Sequence, residues 1–211
     1  MSDTHAFDPG EIDRVMRMAP VIPVLVVDDV GHARETAEAL VEGGLTVLEV
    51  TLRTPDALDA IKRMNLVPGA VVGAGTVTNP DELSAALDAG SEFIVSPGLT
   101  QRLGEAAIKA GVPFLPGIAN SGDIMRGQDM GLTHFKFFPA MANGGPAALK
   151  ALSGPFYKAK FCPTGGVSLA NAPDWLAMES VLCVGGSWVA PAGASPETIV
   201  ELAREASGLS R

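Results

Sequence analysis

The stretch "THFKFFPA", residues 133–140, sets one lysine among three phenylalanines in a chain only 5% aromatic. Side chains of an extended segment alternate between two faces. Lys136 therefore shares a face with His134 and Phe138, while Phe135 and Phe137 take the other. An ammonium turned into a protein interior is costly to desolvate, so a buried lysine either pairs with a carboxylate or gives up its proton more readily. A neutral amine can add to a ketone and form a Schiff base. A structural ion pair is the competing reading.

A carboxylate of matching alternation stands in "LTVLEVTLR". There Val47, Glu49, Thr51 and Arg53 share one face, and Leu48, Val50 and Leu52 the other. The apolar face has to meet other elements, which turns Glu49 and Arg53 inward, near the end where a barrel keeps its active site. A surface salt bridge is the plainer alternative.

Two glycine turns, "CPTGGVS" and "CVGGSW", can present backbone N–H groups to an anion. They follow the seventh and eighth strand-like runs, where barrels most often hold phosphate. "VGAGTV" ends a third run with Thr76, a hydroxyl that either binds a carboxylate or caps the next helix. "SPG" (96–98) and "LPG" (115–117) read as rigid turns that shape the pocket walls.

The elements that must position these groups follow from periodicity. Eight apolar runs read as strands: "PVIPVLVVDD", "LTVLEVTLR", "AVVGAGT", "EFIVSPG", "VPFLPGI", "THFKFFPA", "AKFCPTGG" and "SVLCVGGS". Amphipathic segments such as "NPDELSAALDAG" and "TQRLGEAAIKAG" lie between them, opened by Asn or Thr and closed by Gly. Strict alternation predicts a parallel sheet with right-handed crossovers, and eight units favour closure into a TIM (β/α)8 barrel. An open dinucleotide-binding sheet is disfavoured, because no glycine fingerprint is followed by an acidic residue at the needed spacing. "FDPGEIDRVMRMA" predicts an extra N-terminal helix over the barrel floor, and residues 1–211 read as a single domain.

Composition narrows the partners. With 47% hydrophobic and 18% charged residues, the chain can fill a closed core. A net charge of -9 argues against a nucleic-acid partner, since such binding rests on clustered Lys and Arg. The acidic start lacks an apolar signal-peptide core, and no apolar run is long enough to span a membrane. Cys162 and Cys183 read as buried, reduced thiols of a cytoplasmic protein. His5, His32 and His134 are too dispersed for a metal site, so no metal and no cofactor are expected.

Taken together, "EVTLRT", "GAGTV", "VSPGLT", "FKFFPA", "NGG", "FCPTGG" and "VLCVGGSW" resemble the bacterial 2-keto-3-deoxy-6-phosphogluconate aldolases, also known as 4-hydroxy-2-oxoglutarate aldolases. The similarity runs over roughly residues 20–205, and the ordered set is more specific than any one motif. It implies a metal-independent class I aldolase that cleaves a phosphorylated keto acid to pyruvate and glyceraldehyde 3-phosphate. It also implies Lys136 as the Schiff-base residue, Glu49 as acid and base, and Arg53 and Thr76 as contacts of the pyruvate carboxylate. Phosphate contacts would fall on Gly165, Gly166, Gly185, Gly186 and Ser187, with Pro97, Phe138 and Thr164 lining the pocket.

The resemblance further implies a homotrimer. Asn120 and Asp123 in "GIANSGDI" depart from the Thr and Glu usual there, though both can still cap a helix. Thr164 favours the gluconate over the galactonate epimer, because a hydroxyl offers a hydrogen bond that an aliphatic residue cannot. Three rival functions are the galactonate aldolase, a barrel isomerase or decarboxylase that uses Glu49 as base, and a noncatalytic sensor of phosphorylated sugar acids.

Overall fold

A computed structural model describes residues 8–210, so His5 lies outside the described residues. Among the described residues, nine strands run in chain order: β1 Val21–Leu25, β2 Val47–Thr51, β3 Val71–Gly75, β4 Ile94–Val95, β5 Phe114–Leu115, β6 Gly117–Ile118, β7 His134–Phe137, β8 Lys160–Pro163 and β9 Val184–Gly186. The α-helices are α1 Pro9–Arg17, α2 Ala33–Glu42, α3 Ala57–Met64, α4 Pro80–Asp88, α5 Gln101–Ala110, α6 Ser121–Asp129, α7 Gly145–Ser153, α8 Ala172–Leu176 and α9 Pro196–Ser207.

Every strand pairing is parallel. One arc has the order β5-β4-β3-β2-β1-β9 and the other β6-β7-β8. Bridges Phe161↔Val181 and Thr164↔Gly185 join the arcs on one side. On the other, the expected fifth strand is split into β5 and β6 by Pro116, which has no N–H to give a ladder. Its carbonyl still accepts the Lys136 N–H at 2.8 Å, so the curl continues through the break. The result is the expected β/α barrel.

The helices start where the cap chemistry dictates. Asn79 accepts the N–H groups of Asp81 and Glu82 ahead of Pro80, and Ser195 accepts from Thr198 ahead of Pro196. At α6, Asn120 accepts the Asp123 N–H at 3.1 Å, and Asp123 in turn accepts the Ala119 N–H at 3.0 Å. The departure at these two positions therefore preserves a reciprocal cap.

Two apolar layers divide the strand residues by parity. Leu48, Val50, Phe135 and Phe137 pack outward against the helices, where Phe161 and Trp175 lie 6.3 Å from Phe135 and Phe137 respectively. Gly127 of α6 admits the Phe135 ring, with which any Cβ would collide. Burying a phenylalanine this fully contributes about 1.5–3 kcal/mol. Val47, Phe93, Val95, Leu115, Cys162 and Cys183 fill the barrel interior.

Three residues of α1, Ile12, Val15 and Met16, join that interior cluster, so the N-terminal helix does close the floor. A polar clamp fixes it. Asp13 Oδ1 lies 3.0 Å from His134 Nε2, and Arg17 Nε donates to Asp13 Oδ2 at 2.6 Å. The His134 Nδ1 is 3.0 Å from the Thr133 hydroxyl. Burial holds His134 below its ordinary range, only partly offset by Asp13, while the Arg17 hydrogen bond holds Asp13 below the usual carboxylate range. His134 is thus a floor residue.

Candidate active site

Lys136 projects from β7 into the barrel and donates to Glu49 Oε1 of β2 at 2.8 Å. The residues are 4% and 3% exposed, so the pair is almost fully dry. Two charges removed from water at this cost must be matched closely, and the short contact does so. The register explains the meeting. Glu49 pairs with Val24 and Gly73 on its neighbours, and Lys136 with Gly117 and Cys162, so two long side chains cross the barrel at similar height.

Space for the carboxylate comes from Gly75 at the end of β3. A Cβ there would run into the Glu49 carboxyl group itself. Below, Gly73 accommodates the Phe93 ring in the same manner. Above the lysine, the half-buried Phe138 ring has its centroid 5.4 Å from Nζ, within cation–π range.

Arg53 stands differently from its expected place on the β2 face. The strand ends at Thr51, and the Arg53 N–H turns back to the Thr51 carbonyl at 2.8 Å, which carries the side chain out to the exposed rim. There its Nε donates to the Thr76 hydroxyl at 3.3 Å rather than to the buried pair. Thr76 itself sits at φ 60, an unusual conformation for a β-branched residue. Asn79 caps α4, which leaves the Thr76 hydroxyl to Arg53.

Pro97 is half-buried, and its turn is held by the Ser96 hydroxyl, which donates to the Gly98 carbonyl at 2.7 Å. The Pro97 carbonyl lies against Gly117, the register partner of Lys136, where a Cβ would collide with it. Thr164 is buried and bridged to Gly185, whose missing Cβ makes room for the Thr164 hydroxyl. That hydroxyl is 3.5 Å from the Cys162 carbonyl and 3.8 Å from the Cys162 sulfur. Both are weak contacts, so it remains free to bond elsewhere.

The glycine turns are built around their free N–H groups. Gly165 and Gly166 adopt φ 99 and 77, which L side chains rarely take. The Thr164 and Gly165 carbonyls accept the N–H groups of Ala140 and Met141 at 2.7 and 3.0 Å. Among the described residues, the N–H groups of Gly166, Val167 and Ser187 donate to no protein acceptor. Successive N–H groups left open in such a turn form an anion-binding concavity. Gly185 and Gly186 lead into it from β9, and Ser187 is exposed beside it.

Cys162 and Cys183 are both buried and unbridged. Cys183 lies one residue before β9 rather than within it. No group of three His, Cys, Asp or Glu side chains is placed to hold a metal among the described residues. The motif "VGAGTV" does not disclose that Gly75 makes room for Glu49, because that role depends on the Glu49 rotamer.

A parallel β/α barrel with a dry lysine–carboxylate pair at its centre and an open anion turn at its mouth defines the class. The family model for KDPG and KHG aldolase matches residues 12–201, and the chain belongs to that family. The 2-dehydro-3-deoxy-phosphogluconate aldolase of Zymomonas mobilis is 57% identical over 203 residues, spanning 95% of this chain and 97% of its own. A crystal structure of the 2-keto-3-deoxy-6-phosphogluconate aldolase of Zymomonas mobilis ZM4 with 3-phosphoglycerate superposes with a TM-score of 0.96 at 56% identity, covering 97% of this chain and 98% of that one. The KDPG aldolase of Legionella pneumophila, captured with pyruvate as a covalent carbinolamine, gives a TM-score of 0.90 at 44% identity over 93% of this chain and 98% of that one.

Proposed function

We propose that this chain is a class I aldolase that cleaves 2-keto-3-deoxy-6-phosphogluconate to pyruvate and D-glyceraldehyde 3-phosphate through an imine on Lys136. The observation that carries the reading is the 2.8 Å contact between two buried groups, Lys136 Nζ and Glu49 Oε1. It supports direct proton transfer from the ammonium to the carboxylate, which frees the amine lone pair.

The neutral amine attacks the C2 carbonyl, and the π electrons move to oxygen, which takes a proton from Glu49 to give a carbinolamine. Glu49 then takes a proton from the added nitrogen and passes it to the C2 hydroxyl, which leaves as water while the restored nitrogen lone pair forms the C=N bond of the iminium. Glu49 then removes the C4 hydroxyl proton, directly or through water. The C3–C4 electron pair flows into the iminium, so the aldehyde departs and an enamine remains. The protonated Glu49 returns its proton to C3, and hydrolysis releases pyruvate and the free lysine.

Arg53 and Thr76 hold the pyruvate carboxylate in this reading, and the 3.3 Å bond between them supports a prearranged clamp. Gly165, Gly166, Gly185, Gly186 and Ser187 hold the phosphate, supported by the open N–H groups of that turn. Pro97, Phe138 and Thr164 line the pocket, with the loosely held Thr164 hydroxyl facing the choice at C4. No metal or cofactor takes part. Because 4-hydroxy-2-oxoglutarate carries the same 2-oxo-4-hydroxy unit, the same groups act on it without the phosphate contact.

The reading includes one barrel domain over residues 1–211, a homotrimer and a cytoplasmic location; no described helix is long and apolar enough to cross a membrane. Reduction with borohydride in the presence of pyruvate tests the chemistry. A stable pyruvate-derived mass on the peptide containing Lys136 is expected, and its absence would overturn the imine. Light scattering on the eluted protein tests the trimer.

A further inference from the structure

The phosphate turn is braced on its far side by a residue outside the substrate contacts. Asn171 precedes α8, yet its side chain does not cap that helix. It folds back over the turn instead. Its Oδ1 accepts the Ser168 N–H at 2.8 Å, and its Nδ2 donates to the Gly166 carbonyl at 3.0 Å. The Asn171 N–H also donates to the Ser168 carbonyl at 3.2 Å, closing the loop on itself.

The consequence lies in what happens to three consecutive carbonyls. Those of Thr164 and Gly165 are taken by Ala140 and Met141, and that of Gly166 by Asn171 alone. Peptide planes are rigid, so fixing the Gly166 carbonyl fixes the direction of the following Val167 N–H. A primary amide suits this position because it accepts and donates at once. Without Asn171, Gly166 has no side chain of its own to restrain a backbone already at φ 77.

We propose that Asn171 is a positioning residue for phosphate recognition: it aims the Val167 N–H group, beside the Gly166 N–H whose peptide plane Met141 holds, and so sets the preference for phosphorylated over unphosphorylated substrate. The inference rests on the reading of this turn as the phosphate site. It touches neither Lys136 nor Glu49, so the imine chemistry proceeds without it.

The test compares kcat/KM for 2-keto-3-deoxy-6-phosphogluconate and 4-hydroxy-2-oxoglutarate in the unsubstituted protein, in Asn171→Ala and in Asn171→Asp. Inorganic phosphate serves as a competitive inhibitor. Asn171→Ala is expected to raise KM for the phosphorylated substrate about tenfold and to weaken phosphate inhibition, while kcat/KM for the unphosphorylated substrate stays within about twofold. Asn171→Asp keeps the acceptor for Ser168 but turns an oxygen toward the Gly166 carbonyl, so it is expected to lose the preference too, and it serves if the alanine variant does not fold. An unchanged preference in a folded variant, or equal losses on both substrates, would overturn the role of Asn171. A failure of the underlying phosphate reading looks different: the unsubstituted protein would itself show no preference and no inhibition by phosphate.

Discussion

Glu49 and Lys136 stand 87 positions apart in the chain, and their side chains meet at 2.8 Å inside the barrel. Neither can be replaced without stranding the other, because an unpaired buried charge is strongly unfavourable. Lys136→Ala is expected to abolish turnover and borohydride trapping together. Residual trapping elsewhere on the chain would show that another amine carries the imine.

Glu49→Gln keeps the shape and a hydrogen-bonding group but cannot shuttle protons. Loss of general acid–base catalysis should lower kcat by about 10²–10⁴, with imine formation slowed rather than abolished. Stopped-flow measurement of pyruvate release separates the two effects. An unchanged kcat would remove Glu49 from the proton transfers.

Gly75→Ala places a methyl group where the Glu49 carboxyl now lies. The carboxyl must move by roughly an ångström, and misplacement on that scale costs on the order of 10²-fold in rate. The fall should appear in kcat and in the rate of borohydride trapping. Circular dichroism reports whether the barrel persists, and full activity in the variant would mean that Glu49 finds a second productive rotamer.

Thr76→Gly separates stability from binding. The left-handed φ of 60 costs about 1–2 kcal/mol in a residue with a Cβ, and glycine removes that cost against about 0.5–1 kcal/mol of added chain entropy. Denaturation should show stability equal or slightly higher, while KM for the keto acid rises several-fold through loss of the hydroxyl that receives Arg53. A clear loss of stability would contradict the strain.

The floor clamp makes the protein sensitive to acid. His134 is held below its ordinary value of 6.5 chiefly by burial, so the unfolded chain binds a proton more readily than the folded one. Stability is then fully present above about pH 6.5 and falls as the pH drops below it. Asp13, held below 3.8 by Arg17 first and also by His134, adds a second loss at lower pH. Arg17 and Lys160 are the cations that face His134. Denaturation midpoints between about pH 7 and 5 should flatten in His134→Gln, and an unchanged slope would assign the loss to other groups.

Much of this site was legible because period-2 alternation in a closed barrel leaves no ambiguity about which face is inside. Val47 and Glu49 fall within and Leu48 and Val50 outside, as their order demands. The same alternation failed at Arg53, because β2 stops two residues earlier and a turn resets direction. The break at Pro116 was visible as a proline but not as the seam between two arcs. Helix α9 carries an evident cap and apolar period, whereas α8 has five residues and too little length for a period to show. Gly75 and Asn171 could not be read from spacing, since their roles depend on rotamers and on a hydrogen bond across a turn.

The seam at Pro116 has a meaning for how the molecule comes into working order. Residues before it supply β1–β5 and Glu49, and residues after it supply β6–β9 and Lys136. A chain divided there leaves an acid in one piece and an amine in the other, and neither piece alone possesses a reactive centre. Turnover is therefore a readout of ring closure itself: secondary structure can return early in refolding, but carbon–carbon cleavage waits for the two halves to find each other.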